Sequence, residues 1–324
     1  MEEKFSEIGM QEALRRLYGG TPFKPFGSSA HRLLTEGVDF NLVYFPLKHL
    51  GYKAVVEVTG ELFAQMMHPV ALSVVLGVSA KLDYPQVQEL WSGIVAAAGE
   101  YGYSDVSLDL QPSRNGLCIS VSASGKRKAL TEHSTPGPAS KDLLCVSGRL
   151  GAAYLGLQVL EKERARFENG ASEASEEMEK YRMFVGAYLH PELSPNIVKA
   201  LEEDDIYPSA AVLVTKGLSD AVKRISRSTG LGAKVYAERI PFEGNSFSLG
   251  EKFNIDPVSA AMNGGEDFQL LIAVPILQAE KFRRDFQTFD VIGHLALSEA
   301  GTVLVAPGGA ELPLRAQGWP DETI

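Results

Sequence analysis

The stretch Leu143-Leu144-Cys145-Val146-Ser147-Gly148-Arg149-Leu150-Gly151-Ala152-Ala153 runs from an apolar strand through a tight glycine turn into a helix expected over Ala152 to Leu160. Strand, tight turn, helix is the grammar of an α/β layer architecture. Toward the C-terminus it recurs: an apolar strand from Ala210 to Thr215 meets Lys216-Gly217, and a helix follows from Leu218 to Ser228. Between these two units the spacing predicts a helix from Pro195 to Glu203, while Glu161 to Lys180 reads as solvated helix and loop. Further on, Asn263-Gly264-Gly265-Glu266-Asp267-Phe268-Gln269 feeds the apolar strand Leu270 to Val274. The glycines permit positive φ or close approach to a ligand. The acids can hold a cation or a polar base, and the strand behind them would keep the loop rigid. The plainer reading of that string is a strand-entry turn with two solvated acids.

Toward the N-terminus, Ile8, Met10, Ala13, Leu14 and Leu17 have helical spacing within Ser6 to Tyr18, and Gly19-Gly20-Thr21-Pro22 ends that helix. Tyr52 to Val58 reads as a strand, Leu62 to Met67 as helix and Val70 to Val78 as a strand. Pro85 to Tyr101 is a helix by its early proline and its one-sided Val87, Leu90, Trp91, Ile94, Val95 and Ala98. Val106 to Leu110 and Leu117 to Ala123 are strands flanking a turn at Pro112 to Gly116. Pro136, Gly137 and Pro138 mark a domain boundary, giving units 1–138 and 139–324.

At 324 residues the chain can bury a substantial core and divide into two domains. Its net charge of -10, with no basic patch, argues against a nucleic-acid partner. The two cysteines, Cys118 and Cys145, lack metal-type spacing and read as thiols. An N-terminus that opens on acids, and the absence of any apolar run near ~20 residues, lead us to expect a cytoplasmic protein without a membrane partner. His49, His68, His133 and His190 fall singly and read as structural or exposed.

Several strings, in this order, resemble the thiamine-monophosphate kinase family of the aminoimidazole ribonucleotide synthetase superfamily. They are Glu36-Gly37-Val38-Asp39-Phe40, Leu47-Lys48-His49-Leu50-Gly51-Tyr52-Lys53-Ala54, Val146 to Ala153, the Gly217-Leu218 helix start, Asn263 to Asp267, Val291-Ile292-Gly293 and Gln317-Gly318-Trp319. The resemblance covers nearly the whole chain from Ser6. It implies an α/β (α+β) fold of two domains. The N-terminal domain, for dimerisation and nucleotide, would pair its sheet across a homodimer axis, and the C-terminal domain would be a mixed sheet flanked by helices. It implies ATP and magnesium as cofactors and phosphorylation of thiamine monophosphate to the diphosphate. Carried over by position, Glu36, Gly37, Asp39, Gly264, Gly265, Glu266, Asp267 and Trp319 would bind substrate. Gly148, Gly151, Lys216 and Gly217 would bind nucleotide or phosphate, and Asp109 would be the metal remnant. The remnants of catalytic machinery would be Asp109, Lys216 and Gly217.

The acidic motifs of that family are mostly missing. Its early Gly-Asp-Asp-Ala-Ala strand has no counterpart, because Gly19 to Thr35 contains no acid. Its Thr-Asp falls on His31-Arg32, and its motif histidine on Asp39. Its Asn-Leu-Ser-Asp entry falls on Glu57-Val58-Thr59-Gly60, with Glu61 a displaced substitute. Its Gly-Gly-Asp-Thr loop is Ser107-Leu108-Asp109-Leu110, which keeps only the aspartate. Its arginine-bearing nucleotide contact is Thr135-Pro136-Gly137-Pro138. Its Asp-Ile-Ser-Asp-Gly motif is Leu213-Val214-Thr215-Lys216-Gly217, with both aspartates gone. A unit charge ~5 Å from a divalent cation at an effective dielectric of ~20 is worth roughly 6 to 7 kcal/mol, and at Lys216 its sign has reversed. Arg32 acts in the same sense. The expectation is a kinase-like protein with catalysis weak or lost. The alternatives are a non-catalytic relative that keeps a nucleotide or thiamine pocket, and a structural dimer partner of an active paralogue.

Overall fold

The computed structural model describes residues 8–23, 27–128 and 137–319. Ser6 of the first helix, His133, and Thr135-Pro136 of the nucleotide string, with Pro136 of the expected domain boundary, lie outside the described residues. The first half of the chain builds a four-stranded sheet. Its elements are helix α1 (Met10–Gly19), β1 (Ser29–Thr35), α2 (Leu47–Phe63), β2 (His68–Ser79), α3 (Tyr84–Glu100), β3 (Asp105–Ser113) and β4 (Cys118–Lys126). The strand order is β1-β4-β2-β3. The turn after β3 therefore does not close a hairpin: β4 inserts between β1 and β2 and runs antiparallel to both, while β3 pairs parallel with β2. One face of this sheet, with Leu72, Val74, Leu76, Ile119 and Val121 buried, packs on the helices. The α3 helix starts at a capping box, Asp83 accepting from the Gln86 amide and Gln86 returning the bond.

The second half builds a seven-stranded mixed sheet ordered β11-β10-β7-β9-β5-β8-β6. Its strands are β5 (Leu143–Val146), β6 (Ala210–Val214), β7 (Gly232–Tyr236), β8 (Gln269–Val274), β9 (Asp290–Ala296), β10 (Thr302–Val305) and β11 (Glu311–Pro313). Among the helices beside it are α4 (Ala152–Glu168), α5 (Glu176–Lys180), α6 (Arg182–Leu189), α7 (Ile197–Glu203), α8 (Leu218–Thr229), α9 (Ser246–Phe253), α10 (Pro257–Asn263) and α11 (Ala279–Asp285). The α/β fold class and the mixed C-terminal sheet agree with the sequence reading.

One element differs. The expected strand from Tyr52 to Val58 is the middle of α2, which also takes Leu62 and Phe63 of the short helix expected from Leu62 to Met67; the rest of that expected helix is a turn leading into β2. This helix lies at the seam between the two sheets and buries every residue from Leu50 to Gly60. A helix buried on all sides carries no 3.6-residue apolar period, so a β-branched apolar run imitates a strand. Across the seam, Tyr44 donates to Glu161 at 2.7 Å and His68 Nε2 lies 2.9 Å from Glu202. Among the described residues no helix is long and apolar enough to cross a membrane.

Candidate functional site

A cleft of about 980 Å³ opens where β1, α2 and α8 meet. It is lined by Arg32 from β1, Asp39 from the following turn, Glu57 and Glu61 from α2, Lys216 ahead of α8, and Asp220, Arg224 and Arg227 on α8, with Glu266 opposite. The cleft therefore gathers Asp39, Lys216 and Glu266 from the sequence candidates, together with the two departures Arg32 and Glu61. Glu57 and Glu61 are four residues apart on one helix, so their carboxylates share the cleft face. Gly60 lies against Leu213 instead, where a Cβ would fall 2.4 Å from the leucine side chain.

Arg32 is not a free positive charge in this cleft. Its Nε bonds Glu57 and its Nη2 bonds Glu61 at 2.9 Å. Arg224 reaches the same Glu61 from α8 at 3.1 Å and also donates to the Leu213 carbonyl at 3.2 Å. Two guanidinium groups and two carboxylates thus form a continuous chain, Glu57–Arg32–Glu61–Arg224, across the seam. Burial pushes the Glu57 carboxyl above the usual carboxylate range, and the charge of Arg32 opposes that shift.

Glu266 is anchored from below. Buried Lys53 places its Nζ 2.6 Å from Glu266 Oε2, donates to the Tyr188 carbonyl at 2.9 Å and lies 3.8 Å above the Tyr188 ring. The backbone of Glu266 is itself unusual, a non-glycine at φ 67°, held by its amide on the Thr215 carbonyl at 2.8 Å. Two glycines make this possible. Gly217 (φ +89°) and Gly265 (φ +79°) lie where the turn before α8 crosses the turn before β8; a Cβ would fall 2.5 Å from Met262 O and 2.6 Å from Thr215 O respectively. Gly264 packs on the Tyr154 side chain. These glycines serve contacts between chain segments.

The neighbouring acid faces elsewhere. Asp267 is buried and accepts from the amides of Gly151 at 2.9 Å and Ala153 at 3.3 Å, capping the N-terminus of α4. Burial pushes its carboxyl up to about 7, with those two amides pulling the other way. The phosphate position expected at Gly148 to Gly151 is thus filled by the chain's own carboxylate, and Gly148 lies against the Gln269 side chain. Glu36 accepts from the Leu117 amide at 2.8 Å and ties β1 to β4; Gly37 is an exposed turn residue. Asp109 is exposed on edge strand β3, bonded to Gln111 at 2.9 Å and absent from the cleft wall. Half-buried Trp319 donates from Nε1 to Asp220 at 2.7 Å, and the Arg227 guanidinium covers its ring at 4.1 Å. Sequence reasoning missed Lys53, Glu57 as a cleft acid, Asp220, Arg224 and Arg227. The four-residue spacing of Glu57 and Glu61 would have exposed that pair had α2 been read as a helix.

Magnesium needs several hard oxygen ligands with free lone pairs directed at one point. Here Glu57 and Glu61 are bound to arginines, Glu266 to Lys53, Asp220 to Trp319, and Asp39 to the Thr35 amide at 2.7 Å. Among the described residues no group of three or more His, Cys, Asp or Glu could hold a metal ion. The donor set does not fit a magnesium clamp.

No family model matches the chain. Thiamine-monophosphate kinase of Aquifex aeolicus is 25% identical over 244 residues, covering 75% of this chain and 74% of that protein. The kinase of Pyrococcus horikoshii is 27% identical over 273 residues, covering 83% and 78%. Among solved structures, AaThiL complexed with AMPPCP and TMP superposes with a TM-score of 0.81 at 20% identity, over 99% of both chains. Escherichia coli HypE, a hydrogenase maturation protein, has a TM-score of 0.67 at 15% identity, over 89% of this chain and 84% of that one. Sequence relatives of one name and a backbone that follows theirs from end to end make this chain a divergent relative of the thiamine-monophosphate kinase family, built on the aminoimidazole ribonucleotide synthetase-like fold.

Proposed function

We propose that this protein is a thiamine-monophosphate kinase-like dimer subunit whose phosphoryl transfer is weak or lost. The observation that carries the reading is the partnering of the cleft's acids: each carboxylate on its wall is bound to a cation or donor of the protein itself. Transfer between two phosphate-bearing substrates depends on metal ions that neutralise and align them. A cleft whose acids are internally bound does not assemble that clamp, so ATP and magnesium remain cofactors of its relatives and not requirements here. In a coupled assay with ATP, thiamine monophosphate and magnesium, the expected result is turnover below the ~1 s⁻¹ lower end of ordinary kinases by at least ~100-fold. Turnover at the ordinary rate, dependent on magnesium, would overturn the reading.

Dimerisation belongs to the same proposal, as does the division into units 1–138 and 139–324. The face of the first sheet turned away from the helices carries a transverse rank of His31, Ser122, Ser73 and Ser107, flanked by Ser29, Ser120 and Ser124. The small serine side chains of this rank let a second sheet approach closely. In light scattering coupled to size exclusion, the wild type is expected at twice the mass of the Ser122→Arg variant. An unchanged mass for that variant counts against pairing through this face.

A further inference from the structure

Ten charged side chains line the cleft, five acidic and five basic, yet the two signs are not equally engaged. All five acids have partners within the protein: Asp39 on Thr35, Glu57 and Glu61 on the two arginines, Asp220 on Trp319, Glu266 on Lys53. On the basic side, Arg32 and Arg224 are bound to those glutamates, and Arg15 to Glu12. Lys216 and Arg227 face the cleft with no carboxylate partner among the described residues. Asp39 and Asp220, bonded to neutral donors, keep their charge; among the described residues, the cleft cations left without a carboxylate for a ligand to meet are Lys216 and Arg227.

We infer that the cleft binds an organic phosphate directly on Lys216, with no bridging metal, and that Arg227 restricts the ligand to one without a fixed positive ring. The inference rests on the reading above, that no magnesium clamp forms. An ammonium on an exposed, flexible stem meets a phosphate as a point charge and needs no metal to do so. The restriction follows from Trp319. Its indole is pinned to Asp220, its ring carries the Arg227 guanidinium at 4.1 Å, and Lys223 lies 5.6 Å from the same ring. An aromatic face attracts a cation through its quadrupole, and here that attraction is already used. A thiazolium would have to displace Arg227 while approaching Lys223. A neutral purine meets no such conflict, because a guanidinium plane itself accepts a stacked ring. The ligand class is a nucleotide-like phosphate.

The test is calorimetric titration of the full chain in EDTA with AMP, pyrophosphate and thiamine monophosphate. AMP and pyrophosphate are expected to bind, and thiamine monophosphate at least ~10-fold more weakly than AMP. Lys216→Glu should weaken AMP and pyrophosphate by ~10-fold or more at an unchanged melting temperature, since this side chain is exposed. Arg227→Ala should strengthen thiamine monophosphate relative to AMP. The inference fails if thiamine monophosphate binds as tightly as AMP, if AMP requires magnesium, if Lys216→Glu changes nothing, or if none of the three binds. These failures leave the turnover result untouched, and rapid magnesium-dependent turnover would remove the reading beneath the inference without deciding the role of Lys216.

Discussion

Gly93→Val is expected to lower the melting temperature by ~6 to 12 °C, for a loss of about 3 kcal/mol at 2–4 °C each. The cause is the crossing of α2 and α3. A Cβ on Gly93 would stand 1.9 Å from the Lys48 carbonyl oxygen, and one on Gly51 would stand 2.2 Å from the Leu90 oxygen. Both obstacles are helix backbone, which cannot rotate away as a side-chain tip can, so the helices must separate and uncover the apolar layer between them. Gly99→Ala in the same helix is the control. A Cβ there meets nothing within 4 Å, and the substitution should be neutral or stabilise by up to about 1 kcal/mol. Thermal denaturation of both variants checks the pair. Similar melting temperatures for the two would show that the crossing is not held by backbone contact.

Arg32→Ala comes second. It leaves Glu57 buried, with its carboxylate no longer paired. Removing one partner of a fully buried ion pair costs about 3 to 5 kcal/mol, and the cost here falls below about 3 kcal/mol because the Arg32 side chain is 32% exposed. Protonation limits the cost, and that gives the variant a distinctive pH dependence. Burial already holds the folded Glu57 carboxyl above its ordinary 4.5, and without Arg32 it rises further. An acid whose folded pKa exceeds its unfolded one binds more protons when folded, so folding loses stability as pH rises from 4.5 through the folded value. The defect of Arg32→Ala should therefore be full at neutral pH and shrink toward pH 4.5. Arg32→Ala combined with Glu57→Gln should recover much of the loss at neutral pH and flatten the pH dependence. Denaturant titrations at several pH values measure this. A defect that does not vary with pH would exclude Glu57 as its source.

What the sequence disclosed follows from what each residue had to satisfy locally. The strand–glycine–helix units around Gly148 and Gly217 were legible because local geometry specifies them, and Pro85 with the one-sided apolar face of α3 fixed that helix. α2 was not legible, since burial on every side erases the alternation from which helices are read. The cleft was legible in part. Lys216, Asp39 and Glu266 follow from motif position, but the adjacent acids Glu266 and Asp267 face a cleft and a helix end respectively, and no string of letters separates them. Arg32 shows the same limit. Its charge was evident, but its neutralisation depends on Glu57 and Glu61, some 25 and 29 residues away, on a helix whose apolar run imitates a strand.

The guanidinium–carboxylate network between α2 and α8 has one more consequence. The rivets joining the two sheets at this point are covalently part of the chain, so they cannot be lost to dilution, dialysis or a competing chelator. A protein fastened in this way keeps its cleft walls at the same separation whether the surrounding solution is rich or poor in divalent ions.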